Sequence, residues 1–191
     1  MSTLPVHKLT PEEYLAIERN AEIKSEYYQG EMFAMSGASY RHVVIVGNLL
    51  VNLRLKLRGK RCTPTASDLR LQVAPTGLYT YPDVMVTCGA PQFADPKPDT
   101  LTNPTAVIEV LSDSTRDYDL GRKFHHYRTI ESLREYITVD QDAPKVIHQI
   151  RQPDNTWSFT DYSELTATLT LPSLDCTLSL GEIYEDIEFT A

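Results

Sequence analysis

Two carboxylic acids and one amine carry the chemistry that this sequence can do. Asp83 lies in YPDVMV, Glu109 lies in AVIEVL, and Lys123 follows Glu109 by 14 residues, after a turn-rich stretch. The flanking residues Val84, Met85 and Val86, and Ala106, Val107, Ile108, Val110 and Leu111, read as strands buried on both faces. An unpaired charge in such a strand costs several kcal/mol, so each acid needs a partner. A hard cation such as Mg²⁺ suits them, because it prefers oxygen, takes one or two protein carboxylates and keeps positions for water and a substrate phosphate. Such an ion acidifies a bound water and stabilises charge developing on phosphorus. Lys123, returning from a helix, can orient that water or steady the phosphate oxyanion.

Other residues are weaker candidates for the same site. Asp68 in SDLRL offers a further carboxylate, although an ion pair with Arg70 or a strand-start cap explains it equally well. His42 falls one turn into a long helix and can face the acids; a lone histidine on an apolar helix is more often structural. Glu26 and Glu31 flank a hairpin turn; Glu26 can approach a metal, although an exposed hairpin acid is the simpler explanation of each. Asp117 and Asp119 precede a helix, where capping is the better explanation, and Ser112, Ser114 and Thr115 suit the same turn. His125 and His126 point about 100° apart on a helix and do not chelate one ion. Arg54, Lys56, Arg58, Lys60 and Arg61 form a basic cluster that can touch a DNA backbone, or simply solvate a helix end.

The elements that must position these groups follow from patterning. Thr10, Pro11 and Glu13 form a capping box with proline at the first helical position, which predicts a short helix over PEEYLAIERN. KSEYYQG and EMFAMSG read as a hairpin turning at Gln29 and Gly30. Ser39 as cap and Gly59 as stop enclose a long helix whose closing cations suit its dipole. SDLRLQV alternates, with Leu69, Leu71 and Val73 on one face. The proline-rich stretch from Gly89 to Pro104 is expected to be irregular and exposed. GRKFHHYRTIESL is expected to be a helix with Phe124, Tyr127, Ile130 and Leu133 on its apolar face. REYITVD then closes a crossover parallel to AVIEVL, and antiparallel strands and a short helix near GEIYEDI end the chain. The expected fold class is α/β, or α+β with a mixed sheet, in a single domain spanning 1–191.

Composition narrows the setting. With 41% hydrophobic and 23% charged residues, the chain has the balance of a globular protein, and no segment reaches the roughly 18 uncharged apolar residues of a membrane helix. The start, MSTLPVHKLTPEEY, lacks the apolar core of a secretory signal, so the expected setting is the cytoplasm, with no membrane partner. Cys62, Cys88 and Cys176 are odd in number and far apart, and are expected as buried or inert thiols. A net charge of −8 disfavours nonspecific attraction to nucleic acid, so any such contact needs a local patch.

The order Pro82-Asp83, then Glu109, resembles the PD-(D/E)XK nuclease superfamily, with Leu111 at the position where that pattern expects lysine. The resemblance tightens to the Uma-two family of putative restriction endonucleases, on LTPEEYL, EYYQGEMFAMSGASYRH, SDLRL, YPDVMV, PTAVIEVLSDSTRDYDLGRKFHHYR and EYITVD. In that branch the lysine has moved onto the following helix, a place that Lys123 fills. The resemblance implies a restriction-endonuclease-like core with flanking helices and added antiparallel strands. It also implies Mg²⁺-dependent hydrolysis of DNA phosphodiesters, with Mn²⁺ a possible substitute for Mg²⁺. Asp83 and Glu109 are then the metal ligands, the Val110 carbonyl a further one by analogy, and Lys123 the migrated lysine. Many nucleases cut two strands as symmetric dimers, which makes a homodimer the expected assembly. Leu111 and the acidic net charge keep a rival open, a noncatalytic nucleic-acid- or protein-binding module on the same fold. A metal-dependent phosphoesterase acting on RNA or a nucleotide is a third reading.

Overall fold

The computed structural model describes residues 8–112 and 115–189; Ser114, expected in a turn, lies outside the described residues. Helix α1 (Pro11–Glu18) opens on the expected capping box: the Glu13 N–H donates to Thr10 Oγ1 at 3.2 Å and the Thr10 N–H to the Glu13 carboxylate at 2.8 Å. Strands β1 (Ser25–Tyr28) and β2 (Glu31–Ala34) pair as a hairpin. Its turn places both Gln29 and Gly30 at positive φ, 51° and 88°, as the twist of a two-residue connection demands. A Cβ on Gly30 would lie 2.5 Å from Lys8 Cβ, so the turn has no room for a side chain there. Helix α2 (Tyr40–Lys56), capped by Ser39, buries Ile45, Leu49 and Leu53 along one stripe.

Eleven strands, two short α-helices, a π-helical segment and a 3₁₀ turn (Pro172–Leu174) follow among the described residues. These are β3 (Cys62–Ala66), β4 (Arg70–Val73), β5 (Leu78–Thr80), β6 (Val84–Cys88), β7 (Thr100–Leu101) and β8 (Ala106–Leu111). After a π-helical segment, Tyr118–Lys123, come α3 (Phe124–Tyr127), β9 (Glu135–Asp140), β10 (Val146–Arg151), β11 (Trp157–Tyr162), β12 (Thr168–Leu171), β13 (Cys176–Ser179) and α4 (Leu180–Ile183). They form a sheet in the order β2-β1-β5-β4-β7, a sheet in the order β11-β10-β9-β8-β6-β3, and a two-stranded ribbon β12-β13. Both larger sheets are mixed: β4 runs parallel to β7 and β8 parallel to β9, as the crossover reading requires.

Period-2 alternation sends the central strands to two cores. Val84, Val86, Ile108, Val110, Ile137 and Val139 pack beneath Ile45, Leu49 and Leu53 of α2. Met85, Val107 and Tyr136 point the other way and pack with Leu71, Val73, Leu78, Tyr127 and Leu133. Glu109 has the parity of Val107, so its carboxylate enters the second, otherwise apolar face.

Three expectations are corrected. The helix over GRKFHHYRTIESL begins as a π-turn and ends at Tyr127; Ile130 and Leu133 are buried beyond it. Arg151 donates to the carbonyls of Arg128 and Ile130, fixing that stretch as a turn. The Gly89–Pro104 stretch is not wholly irregular, because Thr100 and Leu101 are buried in β7 and Arg19 binds Asp95 and Asp99 at 2.8 Å. Cys62 and Cys88 are not isolated thiols: they face one another across β3 and β6 and form a disulfide, with Cα atoms 4.0 Å apart. Their separation of 26 residues conceals a direct cross-strand pair.

Candidate active site

Asp83 follows Pro82 just ahead of β6, where the strand has not yet taken up its backbone pairing. Both of its oxygens are held: Oδ2 accepts the Val110 N–H at 2.8 Å, and Oδ1 lies 3.0 Å from His42 Nε2. The Asp83 N–H in turn donates to Glu109 Oε2 at 3.3 Å, which brings the two acids side by side. Glu109 Oε1 accepts from Lys123 Nζ at 3.1 Å and from the Tyr127 hydroxyl at 2.7 Å. Lys123 Nζ also lies 3.1 Å from Asp119 Oδ1 and 3.5 Å from Glu26 Oε1. The Tyr118 ring stands 5.7 Å from the same ammonium.

These groups are deeply placed, with Glu109 and Asp119 each 2% exposed and Lys123 7%. Burial, reinforced by Asp119 and Asp83 and opposed by Lys123, pushes the Glu109 carboxyl up to about 8. Burial likewise raises Asp119, against the pull of Lys123. Burial works against the Lys123 ammonium, but Glu109, Tyr127, Glu26 and Asp119 outweigh it and hold its pKa well above the ordinary lysine value. Carboxylates therefore outnumber the cation that joins them, and this crowding together with burial favours the protonated form of Glu109.

The cluster opens onto a cavity of about 900 Å³ whose walls include Phe33, Ser39, Val43 and Tyr118. Among the described residues, no three His, Cys, Asp or Glu side chains converge as a ready-made metal cage. The donor set does fit a hard cation that keeps most of its water: two adjacent carboxylates, an excess of negative charge and an open cavity.

Asp83, Glu109, Lys123 and His42 are thus brought together, and Val110 joins them through its N–H. Glu26 reaches Lys123 as well, whereas Glu31 is exposed on the hairpin. Asp68 is not brought in: its side chain is exposed and pairs with Lys24 at 2.8 Å. Nor does it pair with Arg70, which turns inward to the Tyr81 hydroxyl and Thr100. The capping reading of Asp119 is overturned, since its side chain sits in the cleft and pairs with Lys123. The sequence alone reads Asp119 as a cap and Tyr127 as part of an apolar face, yet 119, 123 and 127 recur at intervals of four, the spacing of one helical face. None of the Arg54–Arg61 cations lines the cavity; Lys56 pairs with Glu182 and Lys60 with Asp175.

A mixed-sheet core with an acid ahead of one strand, a second acid inside the next and a lysine on the following crossover defines a restriction-endonuclease-like protein. A crystal structure of a putative nuclease belonging to DUF820 from Anabaena variabilis has the same fold, with a TM-score of 0.74 and 17% identity over 92% of this chain and 97% of that one. The chain belongs to the Uma2 family, described as "putative restriction endonuclease", whose family model matches residues 11–181. Two uncharacterized proteins of Synechocystis sp. are relatives: one is 40% identical over 80% of this chain and 86% of its own length, the other 35% identical over 97% and 96%. Among the described residues, no helix is long and apolar enough to cross a membrane.

Proposed function

We propose that this protein is a Mg²⁺-dependent nuclease that hydrolyses DNA phosphodiester bonds in the Asp83–Glu109–Lys123 cleft. One observation carries the reading: Lys123 returns from the crossover to within 3.1 Å of Glu109, while the strand position resembling the usual lysine site is a buried Leu111. Membership of a family described as putative restriction endonuclease supports the same conclusion.

Asp83 and Glu109 would hold the ion, which when bound acidifies water and offsets charge on the phosphate. The chain's own residues prepare the rest. His42 and the Val110 N–H fix the Asp83 carboxylate from two sides, so it does not rotate away from Glu109. Tyr127 and Lys123 hold Glu109 Oε1, leaving Oε2 turned toward Asp83. Asp119 keeps the Lys123 ammonium charged and aimed at the cleft, where it can bind a phosphate oxygen or orient the attacking water.

The test is cleavage of supercoiled plasmid with Mg²⁺ or Mn²⁺ by the wild type, Glu109→Gln and Lys123→Met. Each variant is expected to lose about 10²-fold or more in rate with its circular dichroism unchanged. Wild-type protein that leaves DNA intact with both metals would remove the enzymatic reading, and cleavage of RNA alone would redirect it. A noncatalytic module on this fold is favoured by the locking of Lys123 among three carboxylates; calorimetry showing no Asp83- and Glu109-dependent metal binding would select it. Cutting both strands at one place calls for two copies, and light scattering is expected to report a homodimer.

A further inference from the structure

Away from the cleft, a second concavity of about 320 Å³ is lined by Arg134, Arg151, Gln152, Pro153 and Asn155. Arg134 directly precedes Glu135, which pairs with Ala106, three residues and about 10 Å of strand before Glu109. The pocket is therefore separate from the acidic cluster. We infer that it is a phosphate-binding site, in which Arg134 and Arg151 grip the oxygens of a phosphate or pyrophosphate group.

Two guanidinium groups share this wall, and among the described residues neither has an Asp or Glu within ion-pair distance. Arg151 is held ready. Its Nη2 donates to the carbonyls of Arg128 and Ile130, and its plane lies 5.0 Å from the Trp157 ring across the β10–β11 pair. Its Nε is buried with no acceptor, which leaves Nη1 as the uncommitted donor that a ligand can reach. Arg134 donates through Nη1 to the carbonyls of Glu131 and Leu133, which pins its base at the mouth of the pocket. Asn155, held at φ 65° in the β10–β11 turn, also lines the pocket. Burial first, and then the nearby Arg134 charge, depress the Arg151 pKa, against the weaker pull of Glu131.

Paired planar guanidiniums present several donors to a tetrahedral oxyanion and grip phosphate in a way that separate lysines do not. In a chain of net charge −8, such a patch is the kind of local feature a polyanion needs. The phosphate can come from a nucleic-acid backbone or from a free phosphorylated compound, and the test separates the two. None of the groups involved belongs to the cleft, so the site stands or falls apart from the nuclease reading.

Trp157 is the single tryptophan of the chain and lies against Arg151, which makes intrinsic fluorescence the readout. Pyrophosphate is titrated into the full chain in EDTA, with sodium chloride matched for ionic strength. A saturable change is expected, weakened about tenfold or more in Arg134→Gln, the scale of one lost charge-assisted bond. Arg134 is exposed and bonds only backbone of its own turn, so this variant keeps its fold; Arg151→Lys, which retains charge but loses the fork, is expected to weaken binding similarly. A single-stranded oligonucleotide that displaces pyrophosphate and itself binds several-fold less tightly to Arg134→Gln identifies nucleic acid as the source. Pyrophosphate binding that no oligonucleotide disturbs identifies a free phosphorylated ligand. A response that follows ionic strength alone, or equal affinity in Arg134→Gln, overturns the site.

Discussion

Lys123 is the residue at which burial and chemistry conflict most openly. Its ammonium is 7% exposed and stays charged only because Glu109, Asp119 and Glu26 surround it. Tyr127 completes this arrangement by donating to Glu109 Oε1. Tyr127→Phe removes that bond, and urea unfolding is expected to show a loss of about 1–3 kcal/mol, the usual cost of depriving a buried polar group of its partner. Because Tyr127 positions Glu109 and does not itself face substrate, its loss is expected to lower kcat with KM nearly unchanged. Protonation gives a second prediction. The Glu109 pKa is raised to about 8 in the fold, against 4.5 without it, so the folded state binds this proton more tightly. The stabilisation is fully present below about pH 4.5 and is lost as pH rises through about 8. In EDTA, melting temperature is expected to fall between about pH 5 and 8 more steeply in the wild type than in Glu109→Gln; parallel curves would show that Glu109 does not titrate there. Asp83, Glu109 and Lys123 were legible from residue type and order. Asp119 was not, because an acid ahead of a helix reads as a cap until the backbone places it beside the lysine.

At the scale of elements, legibility followed how local each cause is. The capping box of α1, the Gln29–Gly30 turn and the Ser39 cap are decided by neighbouring residues, and each stands where the sequence places it. The segment after β8 misled for the opposite reason. The spacing of Phe124, Tyr127, Ile130 and Leu133 reports burial, but Arg151, a distant residue, fixes the backbone beyond Tyr127. The Cys62–Cys88 bond was equally hidden, since only the pairing of β3 with β6 brings the two sulfurs together. That bond closes a loop containing Asp68 and Asp83 and fastens edge strand β3 to the sheet. Its reduction is expected to cost about 3.5 kcal/mol on loop-closure grounds. Denaturant midpoints with and without a reductant measure this, and the Cys62→Ser/Cys88→Ser variant should match the reduced wild type.

Over the whole molecule, the cleft draws on two different sheets and the crossover between strands of one of them. Glu26 comes from the five-stranded sheet, Glu109 from the six-stranded one, and Lys123 from the crossover between β8 and β9. This convergence is what a reading of single segments cannot supply, although the fold class and the parallel β8–β9 pair were both within its reach. In Lys123→Met, hydrogen exchange is expected to quicken in the β1–β2 hairpin and to stay slow in β8 and β9, whose ladder does not depend on the ammonium. Unchanged exchange in the hairpin would mean that hydrophobic packing alone holds it. In mechanical terms, the lysine is a rivet through two plates. A ligand that draws its charge away from Glu26 would loosen one plate against the other, so occupation of the cleft and stiffness of the molecule should be felt together.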